Sequence, residues 1–471
     1  MDVKINKITI KNFKNLKNVT IRPKKFNVLI GSNGSGKTNF LEFFKLLRKI
    51  YVERNPYPFL EWDGYENVVW NHQRSLPIEF EIETVERITL TKLIKRIVEE
   101  IKLEKDLEID IFCRISASVW ADRSENLKLL RESVEVEIPD LSYKYSIEKN
   151  GESWKVRLND SEYMLDKVDL RSLHFEISEL IIYGLRFGDL GVTEDGITDM
   201  IFEVEKNLPT NAIEEFKQQV EKSIRNKGLQ VESTIDVIVF DKETSIEQRK
   251  VSLFEIIHDN LPEMIYQPML AFFETIVLFS PNIQEIKYKR KIIPRDEPLN
   301  ERGENILDIL ALTQLKESRL PERIEYAVEN YFNGRIYFKN MNLYLYDLDK
   351  RTEYSKEHLP DGLLKLLVIL TALEQNPSIL LIDEIENSLH PELLEFLINT
   401  LKEECSGYVF ITTHSPVVLN LVEPEEIWVF KPTEEGVEIK NVTEYKSKEE
   451  LLRELEELGI SLGEKVLYGF T

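Results

Sequence analysis

The chain has 471 residues, of which 42% are hydrophobic and 31% charged, a composition that permits a large folded core and excludes a disordered polypeptide. Acidic residues (84) outnumber basic ones (61), and the net charge of −23 excludes a protein that binds a polyanion through its whole surface. Two distant cysteines, no leading apolar segment and no apolar run of membrane-spanning length favour a cytoplasmic protein without a disulfide framework, a signal peptide or a membrane helix.

The beginning of the chain is predicted to form strands, a loop and a helix. Isolated apolar residues alternate with Lys and Asn over the first residues. Phe26–Ile30 is a mostly apolar run, typical of a strand that is buried on both faces, and it ends at Gly31. Apolar residues at helical spacing then predict a helix from about Lys37 to Tyr51.

The middle of the chain changes from strand patterns to helix patterns. Lys92–Leu107 has the pattern of a charged amphipathic helix. Residues 109–166 alternate with a period of two and predict an antiparallel sheet with turns at Asn150-Gly151 and Asn159-Asp160. From about residue 178 to 329 the pattern is mainly helical. The clearest predicted helices are Ala212–Lys227, Glu263–Phe279, Asn305–Lys316 and Pro321–Tyr331, after which Phe338–Tyr346 returns to strand.

The last part of the chain alternates helices and strands. A helix that begins near Pro360 is followed by three predicted strands with helices between them: Ile379–Ile382, Tyr408–Thr413 and Ile427–Phe430. Alternation at this spacing predicts a parallel sheet. We therefore expect the first strand, loop and helix of the chain to join this part in one sheet, with the residues between them as an insertion.

The most specific motif lies between the first buried strand and its helix and fits G-x-x-x-x-G-K-[ST]. Glycines let backbone N–H groups surround phosphate oxygens, and the helix N-terminus adds positive potential. In such a loop Lys37 reaches the β- and γ-phosphates and Thr38 offers its hydroxyl to Mg²⁺. A chance Gly/Ser loop is the alternative. The residues expected to bind the nucleotide are Gly31, Ser32, Asn33, Gly34, Ser35, Gly36, Lys37, Thr38 and Asn39.

A second motif combines the apolar strand Ile379–Ile382 with Asp383 and Glu384. Ligands bind at the carboxyl ends of strands in open α/β sheets, so two acids delivered there are placed for chemistry. Asp383 is expected to hold Mg²⁺, directly or through water. Glu384 is the candidate general base for an attacking water. An ordinary strand end is the alternative interpretation.

A third motif follows the next predicted strand, where Thr412, Thr413, His414 and Ser415 stand in succession. A histidine at the end of the strand beside the acidic strand can donate a hydrogen bond to the γ-phosphate and respond to its loss. We therefore predict a catalytic role for His414, with a purely structural histidine as the alternative.

Together these motifs resemble the ABC-type ATPases of the RecF/SMC branch, including stand-alone RecF-like AAA family ATPases related to OLD-nuclease heads. The segment Ile10–Lys14 is similar to the family's I-x-N-F-[KR] strand end, Asp383–Pro391 to its acidic strand and D-loop, and Thr413–Ser415 to its switch histidine. The resemblance implies an α/β fold, namely an ABC-type (RecF/SMC-like) P-loop NTPase head with an antiparallel β subdomain and an inserted helical lobe. It also implies ATP and Mg²⁺ as ligands and places Lys14 near the phosphates.

The resemblance also implies domain boundaries. We expect the first part of the ATPase head, with the phosphate loop, at residues 1–90 and the β-rich subdomain at 91–175. The helical insertion lobe is expected at 176–340, and the second part of the head at 341–471. The insertion shows no sustained heptads, so a compact lobe is favoured over a long coiled-coil arm.

The chain departs from the family at Leu359–Lys365. Relatives carry a serine where this chain has Pro360, and that serine reaches the γ-phosphate held by the other subunit of a head-to-head dimer. Proline suits the first turn of a helix, so the helix is expected to persist while the hydroxyl is lost. Gly362 and Lys365 are the residues left to contact phosphate across a dimer, and a simple helix cap is the alternative.

One further metal ligand is implied by the resemblance. The glutamine loop of such heads lies between the phosphate-loop helix and the insertion, and Gln73 is in that part of the chain. A surface loop is an equally good interpretation of this position.

The resemblance implies an ATP-dependent homodimer without membrane association. The favoured hypothesis is an ATPase in DNA repair or anti-phage defence, with DNA contacted through a local basic patch or a partner protein. The candidate patches are Lys4–Lys25 and Lys287–Arg295, and ordinary solvated surface is the alternative for both. A second hypothesis is a slow ATP-gated switch that controls a partner nuclease or toxin. A subunit of a membrane transporter is a third, weaker one.

Overall fold

The computed structural model of the chain divides into two compact units. One comprises Met1–Arg22 and Leu46–Phe273, and the other comprises Pro23–Lys45 and Glu274–Thr471. The residues that the structure describes are 3–53, 55–89, 92, 108–151, 153–165, 205, 208–209, 211–226, 235–240, 246–251, 254, 257–258, 264, 276–279 and 281–469.

The described strands are numbered in chain order. They are β1 (Val3–Phe13), β2 (Leu16–Ile21), β3 (Phe26–Gly31), β4 (Ile78–Thr89), β5 (Glu108–Ala121), β6 (Leu127–Ile138), β7 (Tyr143–Asn150), β8 (Ser153–Leu158), β9 (Ser161–Leu165), β10 (Ile235–Phe240), β11 (Ile246–Val251), β12 (Ile276–Phe279), β13 (Gly334–Lys339), β14 (Asn342–Asp347), β15 (Thr352–Ser355), β16 (Ile379–Ile382), β17 (Tyr408–Thr412), β18 (Ile427–Thr433) and β19 (Gly436–Asn441).

The described α-helices are numbered in the same way. They are α1 (Lys37–Leu47), α2 (Ala212–Asn226), α3 (Ile283–Lys287), α4 (Ile306–Glu317), α5 (Glu322–Phe332), α6 (Asp361–Glu374), α7 (Pro391–Glu404), α8 (Pro416–Leu419), α9 (Val442–Tyr445), α10 (Lys448–Leu458) and α11 (Leu462–Gly469).

An eight-stranded antiparallel sheet dominates the first unit, in the order β2-β1-β4-β5-β6-β7-β8-β9. Its strands alternate in burial: along β4, Ile78, Phe80 and Ile82 are buried, whereas the glutamates between them are partly exposed. This alternation is what an antiparallel sheet with one solvated face requires. The antiparallel sheet predicted over residues 109–166 is confirmed, and it extends to the earlier strands β1, β2 and β4.

A six-stranded sheet organises the second unit, in the order β12-β16-β17-β3-β18-β19. All neighbours pair in parallel except β18 and β19, which are antiparallel. The strands β3, β16 and β17 are buried along their whole lengths, as parallel strands covered on both faces must be. The predicted union of the first strand and helix with the last part of the chain is confirmed. The carboxyl ends of β16, β17 and β3 meet at one edge of this sheet.

The predicted helix Glu263–Phe279 is wrong at its end, because Ile276–Phe279 is strand β12, which pairs in parallel with β16. A short apolar run fits a buried helix and a buried strand equally well, and the free edge of β16 decides between them. The strands β10 and β11 also form an antiparallel pair inside the region predicted as helical. Most of the predicted helix Lys92–Leu107 lies outside the described residues.

Several helices of the second unit share one hydrophobic core with its parallel strands. Helix α6 is buried from Gly362 to Leu373, which explains its almost uniformly apolar sequence. Helix α1 is shorter than predicted, since a π-helical turn, Arg48–Val52, follows it. None of the helices in the described part of the chain has the length and apolarity to cross a membrane.

Candidate functional site

The phosphate loop connects β3 to α1 and has the backbone of a phosphate cradle. Gly34 and Gly36 have φ values of 76° and 100°, a region that favours glycine. Gly31 lies where a Cβ atom would be 2.3 Å from the carbonyl oxygen of Phe430, so only glycine fits beside β18. The hydroxyl of Ser35 is buried and has no hydrogen-bond partner among the described residues, which leaves a donor inside the loop for an anion.

Lys37 is the first residue of α1 and is buried. Its Nζ donates hydrogen bonds to the carbonyl oxygens of Gly31 (2.8 Å) and Ser32 (3.2 Å). Burial lowers the pKa of Lys37, and the carboxylates of Asp383 and Glu384 oppose that shift. The lysine therefore lies inside the loop as a cation whose hydration shell has been replaced by carbonyl oxygens.

Asp383 directly follows β16 and is hydrogen-bonded to α1 and to the end of β17. Its Oδ2 accepts a hydrogen bond from the Thr38 hydroxyl at 3.2 Å, and its Oδ1 accepts one from the Thr412 hydroxyl at 2.5 Å. A hydroxyl and a carboxylate placed together are oxygen ligands of the kind that Mg²⁺ prefers. The residues present therefore fit the predicted metal, and the structure brings Thr38 and Asp383 together as expected.

Glu384 adopts a left-handed backbone conformation, with a φ value of 49°. Such a conformation is uncommon outside glycine and asparagine, and it persists only where neighbouring groups hold it. Here the backbone N–H of Glu384 donates to the Thr412 hydroxyl (2.8 Å), and the Asn387 amide donates to its carboxylate (2.5 Å). These two hydrogen bonds hold the backbone and the carboxylate of Glu384 in place.

His414 follows β17, and its side chain is exposed where it lines the cavity described below. Its backbone N–H donates to Glu386 Oε1 at 2.6 Å, and the Thr413 hydroxyl donates to Glu386 Oε2 at 2.8 Å. Glu386 thus fixes the histidine-bearing loop with both carboxylate oxygens. Sequence reasoning missed Glu386 and Thr412 as site residues, although both lie within motifs that it had singled out.

Helix α6 begins at Asp361, so the helix persists after Pro360 as predicted. Gly362 packs tightly, because a Cβ atom there would lie 2.4 Å from the carbonyl oxygen of Ser388. Asp361 forms an ion pair with Lys287 at 2.5 Å. The start of α6 is therefore fixed both to the loop after β16 and to the end of α3.

Lys365 lies one turn further along α6 and is almost fully buried. Its Nζ donates to the carbonyl oxygens of Glu384 (2.7 Å) and Asn387 (3.1 Å). Burial lowers the pKa of Lys365 to about 8. In the single chain this ammonium holds the loop that bears Glu384, and the predicted contact of Gly362 and Lys365 with phosphate across a dimer stays a prediction.

The phosphate loop and the residues at and after the ends of β16 and β17 line one cavity of about 270 Å³. It lies at the carboxyl ends of β3, β16 and β17, where ligands of open α/β sheets bind. The residues that line it are Asn33, Gly34, Ser35, Gly36, Lys37, Thr38, Asn39, Asp383, Glu384, Thr412 and His414. The structure thus brings together most of the phosphate loop with Asp383, Glu384 and His414 from three separate stretches of the chain.

Two predicted site residues belong to the first unit instead. Lys14 has a φ value of 49°, and its Nζ lies 5.5 Å from the ring centre of Trp62. Gln73 is exposed and ends the short helical turn Trp70–His72. The contacts predicted for Lys14 with phosphate and for Gln73 with the metal stay predictions.

The fold and the cavity define an α/β P-loop NTPase of the ATPase-head class. The chain belongs to the family described as "AAA domain, putative AbiEii toxin, Type IV TA system", which matches residues 26–125 and 172–420, more than half of its length. This membership and a match to RecF confirm the resemblance to RecF/SMC-type heads that the motifs indicated.

The RecF match is local. The chain is 50% identical over 46 residues to the DNA replication and repair protein RecF of Citrifermentans bemidjiense, which is 10% of this chain and 13% of RecF. A RecF of Geobacter sp. strain M21 matches with the same values. The chain therefore aligns with only a small part of these curated relatives.

Similar solved structures are SMC heads. The head domain of Pyrococcus furiosus Smc, with an extended coiled coil and bound to the C-terminal domain of ScpA, is 15% identical, with a TM-score of 0.38 over 97% of this chain and 100% of that one. The SMC head domain of Thermotoga maritima is 11% identical, with a TM-score of 0.34 over 93% of this chain and 98% of that one.

Proposed function

We propose that the chain is a Mg²⁺-dependent ATPase. The observation that carries this proposal is the convergence of Lys37, Thr38, Asp383 and Glu384 on one cavity at the ends of β3 and β16. A phosphate cradle, a cation, a pair of metal-binding oxygens and a carboxylate are the parts that hydrolysis of a phosphoanhydride requires.

In this mechanism the loop N–H groups and Lys37 bind the β- and γ-phosphates. Thr38 and Asp383 are the residues that would hold Mg²⁺, which supplies positive charge to the phosphates when it is bound. Glu384 accepts a proton from the attacking water, and its left-handed backbone directs the carboxylate. His414 donates a hydrogen bond to the γ-phosphate as negative charge develops there.

We further propose that ATP joins two chains head to head, with the start of each α6 facing the nucleotide of the other. Pro360 is exposed at the start of α6, so this helix end is accessible to a second chain. The local identity with a DNA replication and repair protein supports a role in DNA repair. The toxin–antitoxin system in the family description supports a role in defence.

A second candidate function is a slow ATP-gated switch that controls a partner nuclease or toxin. The observation that favours it is Pro360, which caps α6 without a side-chain hydrogen bond, where relatives carry a serine hydroxyl. Loss of that hydroxyl removes one donor for the partner's γ-phosphate and slows hydrolysis. On this hypothesis ATP binding, rather than turnover, transmits the signal.

Steady-state ATP turnover with and without linear double-stranded DNA tests these proposals. Lys37→Ala and Glu384→Gln should each reduce turnover about a hundredfold or more, because they remove phosphate binding and the general base. Glu392→Gln, an exposed glutamate at the start of α7, is the matched control and should retain turnover.

The effect of DNA separates the two candidates. Turnover that DNA raises severalfold supports the DNA-responsive ATPase. Turnover near background with and without DNA, together with tight ATP binding and a gain on Pro360→Ser, supports the switch. Absence of ATP binding in the wild-type chain would contradict both.

A further inference from the structure

The segment Lys287–Arg295 divides its basic residues into two sets. Lys287 pairs with Asp361 (2.5 Å), and Lys289 pairs with Asp308 (2.6 Å) while also donating to the Glu304 carbonyl oxygen. These two lysines are largely buried and bind the segment to α6 and α4. Their charges are therefore paired within the chain and do not contribute to binding a ligand.

The backbone of this segment is held at a second point. Asp308 is buried, and its Oδ1 accepts a hydrogen bond from the N–H of Ile293 at 2.7 Å. The side chain of Ile292 is buried as well. Since its conformation is fixed in this way, the segment presents its other side chains without a large entropic cost on binding.

The second set faces solvent. Arg290, Lys291 and Arg295 are exposed and form no ion pair within the described part of the chain, and Tyr288 beside them is 63% exposed. Some exposed cations elsewhere in the same unit do have acidic partners. Examples are Lys316 with Asp296, Arg319 with Glu322 and Lys350 with Asp347.

The other lysine-rich segment, Lys4–Lys25, differs in part. Its Lys7 pairs with both Glu81 and Glu83, and its Lys11 pairs with Glu79. These lysines are neutralised by the acidic strand beside them. Lys4, Arg22 and Lys24 of that segment are also exposed and form no ion pair in the described part of the chain. What distinguishes Lys287–Arg295 is that its exposed cations have an exposed tyrosine, Tyr288, beside them.

We propose that Lys287–Arg295 binds single-stranded nucleic acid. Cations without acidic partners attract backbone phosphates, and they gain from the release of condensed counterions. An exposed tyrosine beside such cations can stack on an unpaired base, which a duplex does not offer. Within the segment, Tyr288 and Ile293 are the large exposed apolar side chains, an area too small for the apolar centre of a stable protein interface.

This site deepens the proposed ATPase and rests on it for any effect on turnover. Lys287 forms its ion pair with the first residue of α6, and Lys365 of the same helix holds the carbonyl oxygen of Glu384. A contiguous set of contacts therefore joins the basic segment to the general base. Binding of nucleic acid itself requires no nucleotide, so the site and the ATPase can be tested apart.

The test is fluorescence anisotropy of a labelled oligothymidine with the full chain, without ATP. The combined substitutions Arg290→Gln, Lys291→Gln and Arg295→Gln should weaken binding at least tenfold. They should also reduce the slope of log affinity against log salt by about 2, at roughly 0.7 per lost phosphate contact. Tyr288→Ala should weaken binding about fivefold or more through lost stacking.

The matched control combines Lys316→Gln, Arg319→Gln and Lys350→Gln, which changes net charge equally at exposed, paired positions. It should leave the affinity within about twofold of wild type, as expected for surface ion pairs.

An equal loss of affinity in the control, or no wild-type binding at low salt, overturns the proposal. Tighter binding of duplex overturns the single-strand assignment, and equal competition by an acidic peptide assigns the segment to a protein partner instead. Binding with no ATP hydrolysis keeps this site and removes the ATPase.

Discussion

Lys365 illustrates how single buried charges organise the site. Its ammonium group is almost fully buried and is hydrogen-bonded to the carbonyl oxygens of Glu384 and Asn387. A buried cation is tolerated when such acceptors replace its water. In the proposed mechanism Lys365 is therefore a positioning residue, which acts through the backbone of Glu384.

The depressed pKa of Lys365 predicts a specific pH dependence of stability. The pKa is about 8 in the folded chain, against an ordinary value of 10.5. Between those two values the unfolded chain binds more protons than the folded chain, so the free energy of unfolding rises with pH. Below pH 8 the lysine is charged in both states, and its burial cost is present in full.

Replacement of Lys365 by methionine should remove this contribution. The free energy of unfolding of the wild-type chain, relative to Lys365→Met, should rise between pH 8 and pH 10 by up to about 1.4 kcal/mol per pH unit. Urea unfolding of both chains at pH 7.5 and 9.5 measures how this difference in unfolding free energy changes with pH. A difference between the two chains that is independent of pH would contradict the low pKa.

Glu386 gives a second prediction at the residue scale. Glutamine keeps one acceptor oxygen but cannot accept from both the Thr413 hydroxyl and the His414 N–H, so the histidine loop should loosen. We expect Glu386→Gln to reduce kcat about tenfold with little change in KM, since a contact made in the transition state is lost. Steady-state kinetics, with Glu392→Gln as the control variant, measures the separate effects on kcat and KM. A raised KM with normal kcat would show that Glu386 acts on binding instead.

The contact of α6 with the loop after β16 is the feature that matters at the element scale. Gly362 lies in the first turn of the helix, and a Cβ atom there would be 2.4 Å from a backbone oxygen of Ser388. Glycine thus permits the helix to approach the segment that follows Glu384. The sequence suggested a phosphate-binding N–H for Gly362, whereas close packing explains the residue within one chain.

Helix propensity and packing predict opposite effects for Gly362→Ala. Propensity alone stabilises the helix by up to about 1 kcal/mol. A backbone oxygen at 2.4 Å forces the helix and loop apart, so we expect a net destabilisation of about 1–3 kcal/mol and lower turnover. Chemical unfolding together with ATP turnover checks this prediction. A more stable and fully active variant would show that the helix has room to move.

At the scale of the whole molecule, the proposed head-to-head arrangement joins two chains through ATP. Because Glu384→Gln retains the phosphate loop and loses the proposed general base, it should accumulate with ATP bound and form a dimer. Sedimentation velocity should show that dimer with Mg-ATP and a monomer with Mg-ADP. Lys37→Ala should stay monomeric with either nucleotide. A Glu384→Gln chain that remains monomeric with saturating ATP would remove the head-to-head mechanism.

The phosphate loop, the acidic strand and the α/β class could be predicted from local sequence patterns. These depend on consecutive residues: Gly31–Thr38 lie between a buried strand and a helix, and Asp383 and Glu384 directly follow Ile379–Ile382. Local periodicity and local backbone chemistry are sufficient for such predictions. Local patterns also predicted the strands β16, β17 and β18 and the helices between them.

The contacts between distant residues could not be predicted, because they depend on how the elements pack. The sheet order β12-β16-β17-β3 does not follow the chain, so the contacts of Thr412 with Asp383 and of Glu386 with His414 could not be read from spacing. Residues 276–279, predicted as the end of a helix, form strand β12 because they pair with β16. A short apolar run is compatible with a buried helix or a buried strand, and the neighbouring element determines which one forms. The burial of Lys365 likewise depends on how α6 lies against the loop after β16, a packing relation that no local pattern encodes.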